Sequence, residues 1–97
     1  MPSAYWVMTF RSVSDPAGLA RYAAASLPVI RAHGGRVLAA GVPAYTYEAG
    51  LQQRVAIVEF SSLGAANDAY RSPEYQAAVR HLAGAAERDV RIVEAQP

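Results

Sequence analysis

Four short breaks decide what this chain can become: Asp15-Pro16, Gly34-Gly35, Ser61-Ser62 and Ser72-Pro73, each set between apolar runs. Asp15 can accept the free amides of a helix start, and Pro16 at the first helical position loses nothing by lacking an N–H. From there Leu19, Tyr22, Ala23, Leu27 and Ile30 recur at helical spacing and predict one buried stripe. Pro28 removes a donor inside that helix and is expected to kink it. Gly34-Gly35 ends it, because glycine takes the left-handed conformation that closes a last turn. Ser61-Ser62 predicts a cap for a short helix from Leu63 to about Tyr70. Ser72-Pro73-Glu74 then restarts it, with Ser72 as cap and Glu74 near the positive end. Tyr75, Ala78, Val79 and Leu82 form the buried stripe of that second piece.

The remaining segments read as strands. Ala4–Phe10 carries large apolar residues on both parities, Tyr5 and Val7 against Trp6, Met8 and Phe10, so it belongs in the middle of a sheet. Arg36–Gly41 is a second strand, and Val42–Gln53 an irregular connection in which Ala44–Glu48 is expected to add a short strand. Arg54–Phe60 places Val55 and Ile57 on one face and Ala56, Val58 and Phe60 on the other. Arg88–Glu94 closes the chain, with Val90 and Ile92 set against Arg91 and Val93. Strand, helix, two strands, helix, strand is the α+β ferredoxin-like βαββαβ order: a four-stranded antiparallel sheet with two helices on one face, all in a single domain over 1–97. The face without helices would leave apolar side chains in water. We therefore expect two sheets to pair, as a homodimer through the open sheet face forming a dimeric α+β barrel, each subunit hiding about 800 Å².

Composition narrows the function classes. Apolar residues make up 53% of the 97, enough to suggest apolar surface beyond one chain's own core. Nine arginines, with no lysine, stand against eight acids, a net charge of +1. That balance gives no strong field for nucleic acid or a membrane surface. No cysteine is present, so disulfides, thiolate metal sites and cysteine nucleophiles are out. The two histidines lack metal-ligand spacing, and Gly34-Gly35 follows a helix and precedes a strand, the reverse of a phosphate loop. No metal or other cofactor is expected. Met1-Pro2-Ser3-Ala4-Tyr5 lacks the layout of a signal peptide, and no apolar run reaches about 18 residues, so a cytoplasmic protein is the expectation.

The order and spacing of Asp15-Pro16 with Tyr22, His33-Gly34-Gly35-Arg36, Val58-Glu59-Phe60-Ser61-Ser62 and Ser72-Pro73-Glu74-Tyr75-Gln76 resemble a family known only as domain of unknown function 1330, in the dimeric α+β barrel group. The likeness runs from Ala4-Tyr5-Trp6 to Val93-Glu94. It implies a ferredoxin-like fold and a dimer, with no settled activity, substrate or cofactor. The wider group holds cofactor-free monooxygenases, cyclases and isomerases, haem-degrading enzymes and plant stress proteins, so the fold alone does not choose among them. Many members look as though they carry an arginine and a glycine pair where this chain has Gly41-Val42-Pro43-Ala44-Tyr45.

Among individual residues, Glu59 shares the parity of Val55 and Ile57 and should emerge on an apolar sheet face, where desolvation suits a carboxylate to proton transfer. The plainer alternative is an ion pair with Arg54, Arg80 or Arg91. His33, in the last turn of the first helix, either caps free carbonyls or serves as a proton shuttle. Arg80 is a candidate for steadying developing charge. Of the six tyrosines, Tyr70 and Tyr75 bracket the helix break and are expected to hydrogen-bond across it; with Tyr45 they are the candidate ligand contacts. Trp6, Met8 and Phe10 read as core, and Ser61, Ser62 and Ser72 as caps. Two functions stay open: a cofactor-free enzyme for proton transfer, cyclisation or oxygenation of a small apolar or aromatic molecule, and a non-catalytic small-molecule-binding or stress-associated homodimer.

Overall fold

The structure is a computed structural model and describes residues 2–97; Met1, read above with the N-terminal segment, lies outside them. Strand β1 (Ala4–Val13) leads to helix α1 (Pro16–Ala32), then β2 (Arg36–Gly41) and β3 (Val55–Phe60). Helices α2 (Leu63–Arg71) and α3 (Pro73–Val79) follow, then a 3-10 turn at Arg80–Leu82 and β4 (Ala86–Glu94). The four strands form one antiparallel sheet in the order β2-β3-β1-β4, which is the ferredoxin-like topology expected from the breaks.

Each break acts as its chemistry dictates. The Asp15 carboxylate accepts from the Ala17 amide at 3.1 Å, and the Ser62 hydroxyl from the Ala65 amide at 3.0 Å. Ser72 does double duty: its hydroxyl donates to the Ala69 carbonyl at 2.8 Å and accepts from the Tyr75 amide at 3.2 Å, so it closes α2 while opening α3. Gly34 takes φ +81 after the last turn of α1. Helix α1 runs on through Pro28, so the proline does not end it. Ser26 and Ile30, buried on either side of it, hold the segment helical despite the lost donor. Nor does Ala44–Glu48 form a strand. Pro43 lacks an N–H, Glu48 turns back at φ 54, and the Gln52 side chain ties the loop to the Pro43 carbonyl and the Thr46 hydroxyl.

Alternation sorts β1 and β3 between two environments. Ala4, Trp6, Met8, Phe10, Ala56, Val58 and Phe60 are buried beneath the helices. Tyr5, Val7, Val55, Ile57 and Glu59 stand on the opposite face, only half-buried, and no element among the described residues covers them. No helix of the described residues is long and apolar enough to cross a membrane.

Candidate functional site

Between α1 and the sheet lies a cavity of about 340 Å³. Met8 and Phe10 of β1, Tyr22, Ser26 and Ile30 of α1, and Ala56 and Val58 of β3 form much of its wall, while Arg31, Arg54 and Arg88 also line it. Its shape follows from small residues: Ala23, Ser26, Ala40 and Ala56 leave unfilled the space between a long helix and the sheet. No aspartate, glutamate or histidine lines it.

One end of the cavity is built by Arg88. β4 pairs Arg88 with Phe10, and its parity is that of Val90 and Ile92, so the guanidinium enters on the helix side. There Arg88 Nη1 donates to Tyr22 Oη at 3.0 Å and Nη2 to Tyr75 Oη at 3.1 Å. The two phenol oxygens are 2.5 Å apart and share a hydrogen bond. Arg88 also lies over the Tyr22 ring, 4.7 Å from its centroid. Nη1 sits 3.1 Å from Met8 Sδ, which both phenol oxygens approach at 3.9 Å. Among the described residues no carboxylate comes within ion-pair distance of Arg88, Arg31 or Arg54, whereas Arg11, Arg21, Arg36 and Arg91 each have an acidic partner.

This setting shifts two groups. Burial first, then the neighbouring Tyr22, pushes the Tyr75 phenol well above its ordinary value, with Arg88 opposing more weakly. Burial alone would weaken Arg88's hold on its proton, but the Tyr22 and Tyr75 oxygens facing it outweigh that and raise its pKa. Tyr75 is therefore a neutral donor and Arg88 a fixed cation at any physiological pH. The unfolded chain ionises Tyr75 near pH 10 while the folded chain keeps the proton, so this contribution to stability falls as pH rises above about 10. Folded wild type and Tyr75→Phe should show the same tyrosinate absorbance to about pH 11, differing by one tyrosinate only after unfolding.

The residues singled out in the sequence are spread over other places. Glu59 stands on the open face, and its partner is Arg36 at 2.8 Å rather than Arg54, Arg80 or Arg91, because the β2–β3 register sets Arg36 directly opposite. His33 is the C-cap of α1: its amide donates to the Val29 carbonyl at 3.1 Å, and Nε2 lies 3.8 Å from Glu74. Arg80 and Tyr70 line a second, more polar hollow beside α3 and β4, whose wall Arg88 shares. Tyr45 is 80% exposed on the β2–β3 loop. Tyr75 is fully buried, between Trp6 at 4.7 Å and Tyr70 at 5.4 Å between ring centroids. The helix break is bridged by Gln76 Nε2 donating to the Tyr70 carbonyl, not by the tyrosine hydroxyls. Arg88 was not singled out in the sequence, although its parity with Val90 and Ile92 was the available signal.

Comparison with known proteins agrees with this architecture. Residues 3–96 match the family described as Domain of unknown function (DUF1330), and the chain belongs to it. No curated protein matches. The RPA0582 protein of Rhodopseudomonas palustris, of unknown function, is similar over 99% of this chain and 84% of its own, at 22% identity and TM-score 0.71. SnoaB, a cofactor-independent oxygenase from Streptomyces nogalater, is similar over 100% and 96%, at 13% identity and TM-score 0.69. A dimeric protein of unknown function and ferredoxin-like fold from Bacteroides fragilis is similar over 96% of each chain, at 17% identity and TM-score 0.59. At these identities the likeness is one of fold.

Proposed function

We propose that this member of the family binds a small apolar or aromatic molecule in the cavity under α1, and that it acts on it without a cofactor, by proton transfer, cyclisation or oxygenation. The observation that carries the reading is the cavity itself: about 340 Å³ of largely apolar wall with a hydrogen-bonded guanidinium and phenol at one end. Where such a reaction passes through an enolate or phenolate, charge develops on a substrate oxygen, and a preorganised donor set in an apolar site stabilises such charge. Arg88 and Tyr22 would supply that stabilisation. The fold likeness to a cofactor-independent oxygenase lends support at the level of architecture only. Glu59, His33 and Arg80 keep the places described above, away from this cavity; within the proposal none of them touches the substrate there.

One observation favours the alternative, a non-catalytic binding protein: no carboxylate or imidazole lines the cavity to serve as general base. A substrate that is already acidic needs none, so turnover decides between the two. A panel of small aromatic compounds should contain members that raise the melting temperature by several degrees. Ala40→Trp, which fills the cavity from the edge strand, should abolish that rise while leaving the protein folded. Aerobic incubation of a binder with substoichiometric protein, followed by mass spectrometry, then yields a changed compound for an enzyme and the unchanged compound for a binding protein. If no compound shifts the wild type, the cavity is not a ligand site.

We also propose that the open face carries a homodimer. Val7, Val55 and Ile57 stand half-covered in the middle of that face, and a ferredoxin-like protein of the same architecture is dimeric.

A further inference from the structure

The polar end of the cavity holds more donors than acceptors. The Arg88 guanidinium has five N–H groups, and the protein offers it two phenol oxygens and the Met8 thioether, a weak acceptor. Of the two phenol protons, one is used between Tyr22 and Tyr75. The other has only Met8 Sδ, at 3.9 Å. Tyr22 lines the cavity and Tyr75 does not, so the arrangement that wastes least has Tyr75 donating to Tyr22 and the Tyr22 proton left for an occupant. Charge points the same way. Arg88 is half-buried with no acidic partner among the described residues, and it shares the cavity wall with the half-buried Arg54 and the exposed Arg31, also without acidic partners. A charge partly withdrawn from water gains from an opposite partner, which an anionic occupant would supply.

Resting on the cavity reading above, we infer that the ligand is a small anion: an apolar, preferably aromatic body carrying one anionic oxygen, of a carboxylic acid, phenol or enol. Its oxygen accepts from Arg88 and Tyr22 beside Met8, and its body lies along Phe10, Ile30, Ala56 and Val58. Arg88 is thus the residue that selects charge, and the alanines and Ser26 set the size of the body.

The probes are 2-naphthoate, its uncharged congener 2-naphthalenemethanol, and inorganic phosphate, titrated calorimetrically at neutral pH into wild type, Arg88→Met and Arg88→Lys. Naphthoate should bind wild type roughly ten- to a hundredfold more tightly than the alcohol, the range for hydrogen bonds to a charged group. Arg88→Met should bind both equally, and Arg88→Lys should keep part of the preference without the two-pronged geometry. Phosphate, lacking the apolar body, should not bind. If wild type takes alcohol and acid equally, the cavity is real but charge selection is wrong. If Arg88→Met keeps the preference, Arg88 is not the selector. If phosphate binds as well as naphthoate, the site is a bare anion hole and the inference fails. If neither naphthalene compound binds at millimolar concentration, the cavity reading falls and takes the inference with it. Should Arg88→Met not fold, Arg88→Gln, which removes the charge but keeps a hydrogen-bonding head, gives the same comparison.

Discussion

Trp6→Ala should lower the stability by about 3–5 kcal/mol, measured by urea denaturation followed by circular dichroism. That is a large part of the 5–15 kcal/mol expected of any such domain, so the variant would be folded only marginally at body temperature. The size of the effect follows from where β1 runs. As a central strand it is paired on both sides, and Trp6 projects from its middle into the helix layer with no exposed surface. Its ring meets Phe60 at 4.8 Å and Tyr75 at 4.7 Å, both tilted, and Tyr70 edge-on at 6.0 Å. Its indole N–H donates to the Ala66 carbonyl at 2.9 Å, which fixes α2 on the sheet. Trp6→Phe keeps most of the packing and gives up that bond, so about 1 kcal/mol is expected for the bond with some added loss from the smaller ring. A cost below about 1.5 kcal/mol for Trp6→Ala would mean that neighbours collapse into the gap and that the aromatic cluster is not the centre of the core.

The strand–helix order was legible because it rests on local chemistry: Asp15, Ser62 and Ser72 cap their own helices, and Gly34 needs a left-handed turn whatever surrounds it. The environment of Val55, Ile57 and Glu59 was legible too, since parity alone separates them from Ala56, Val58 and Phe60. The stripe on α1 was read less well. Of the expected residues Tyr22 and Ile30 are buried, but Ala23 is exposed and Leu19 and Leu27 are half-buried, while Gly18 and Ser26 are buried instead: Gly18 has Ala85 so near that any side chain would collide, and Ser26 helps leave the cavity unfilled. Arg88 escaped because a charged residue at the start of a strand is ordinarily wet. Its partners Tyr22 and Tyr75 lie 66 and 13 residues away, and only the packing of α1 and α3 over β4 brings them together. Local patterns carry no record of such a meeting. The pairing of Glu59 with Arg36 is the same lesson on the other face, for it depends on a cross-strand register that includes an irregularity at Leu38.

If the proposed homodimer forms, Ile57→Arg should convert it to monomers, halving the mass seen in sedimentation from twice the 10.3 kDa chain. Ile57 lies opposite Val7 at the middle of the open face, with Ala39 across the other strand boundary. If two copies pair there, an arginine from each subunit would be buried near the two-fold axis against apolar surface and its own like charge. The carboxylates of that face, Glu59 and Asp89, are already held by Arg36 and by Arg11 and Arg91, so the desolvation would be poorly compensated and the loss large against a standard interface of about 800 Å² per subunit. The substitution leaves the helix-side core alone, because residue 57 alternates away from Ala56 and Val58. The cavity under α1 is therefore expected to survive in the monomer, and 2-naphthoate binding by Ile57→Arg separates the two proposals. Monomers that still bind the acid make the cavity a property of one chain. Monomers that stay folded but no longer bind would make pairing of the sheets a condition of the site. A wild type that sediments as a monomer at micromolar concentration would dismiss the dimer outright, and Val7, Val55 and Ile57 would then be an apolar patch awaiting some other cover.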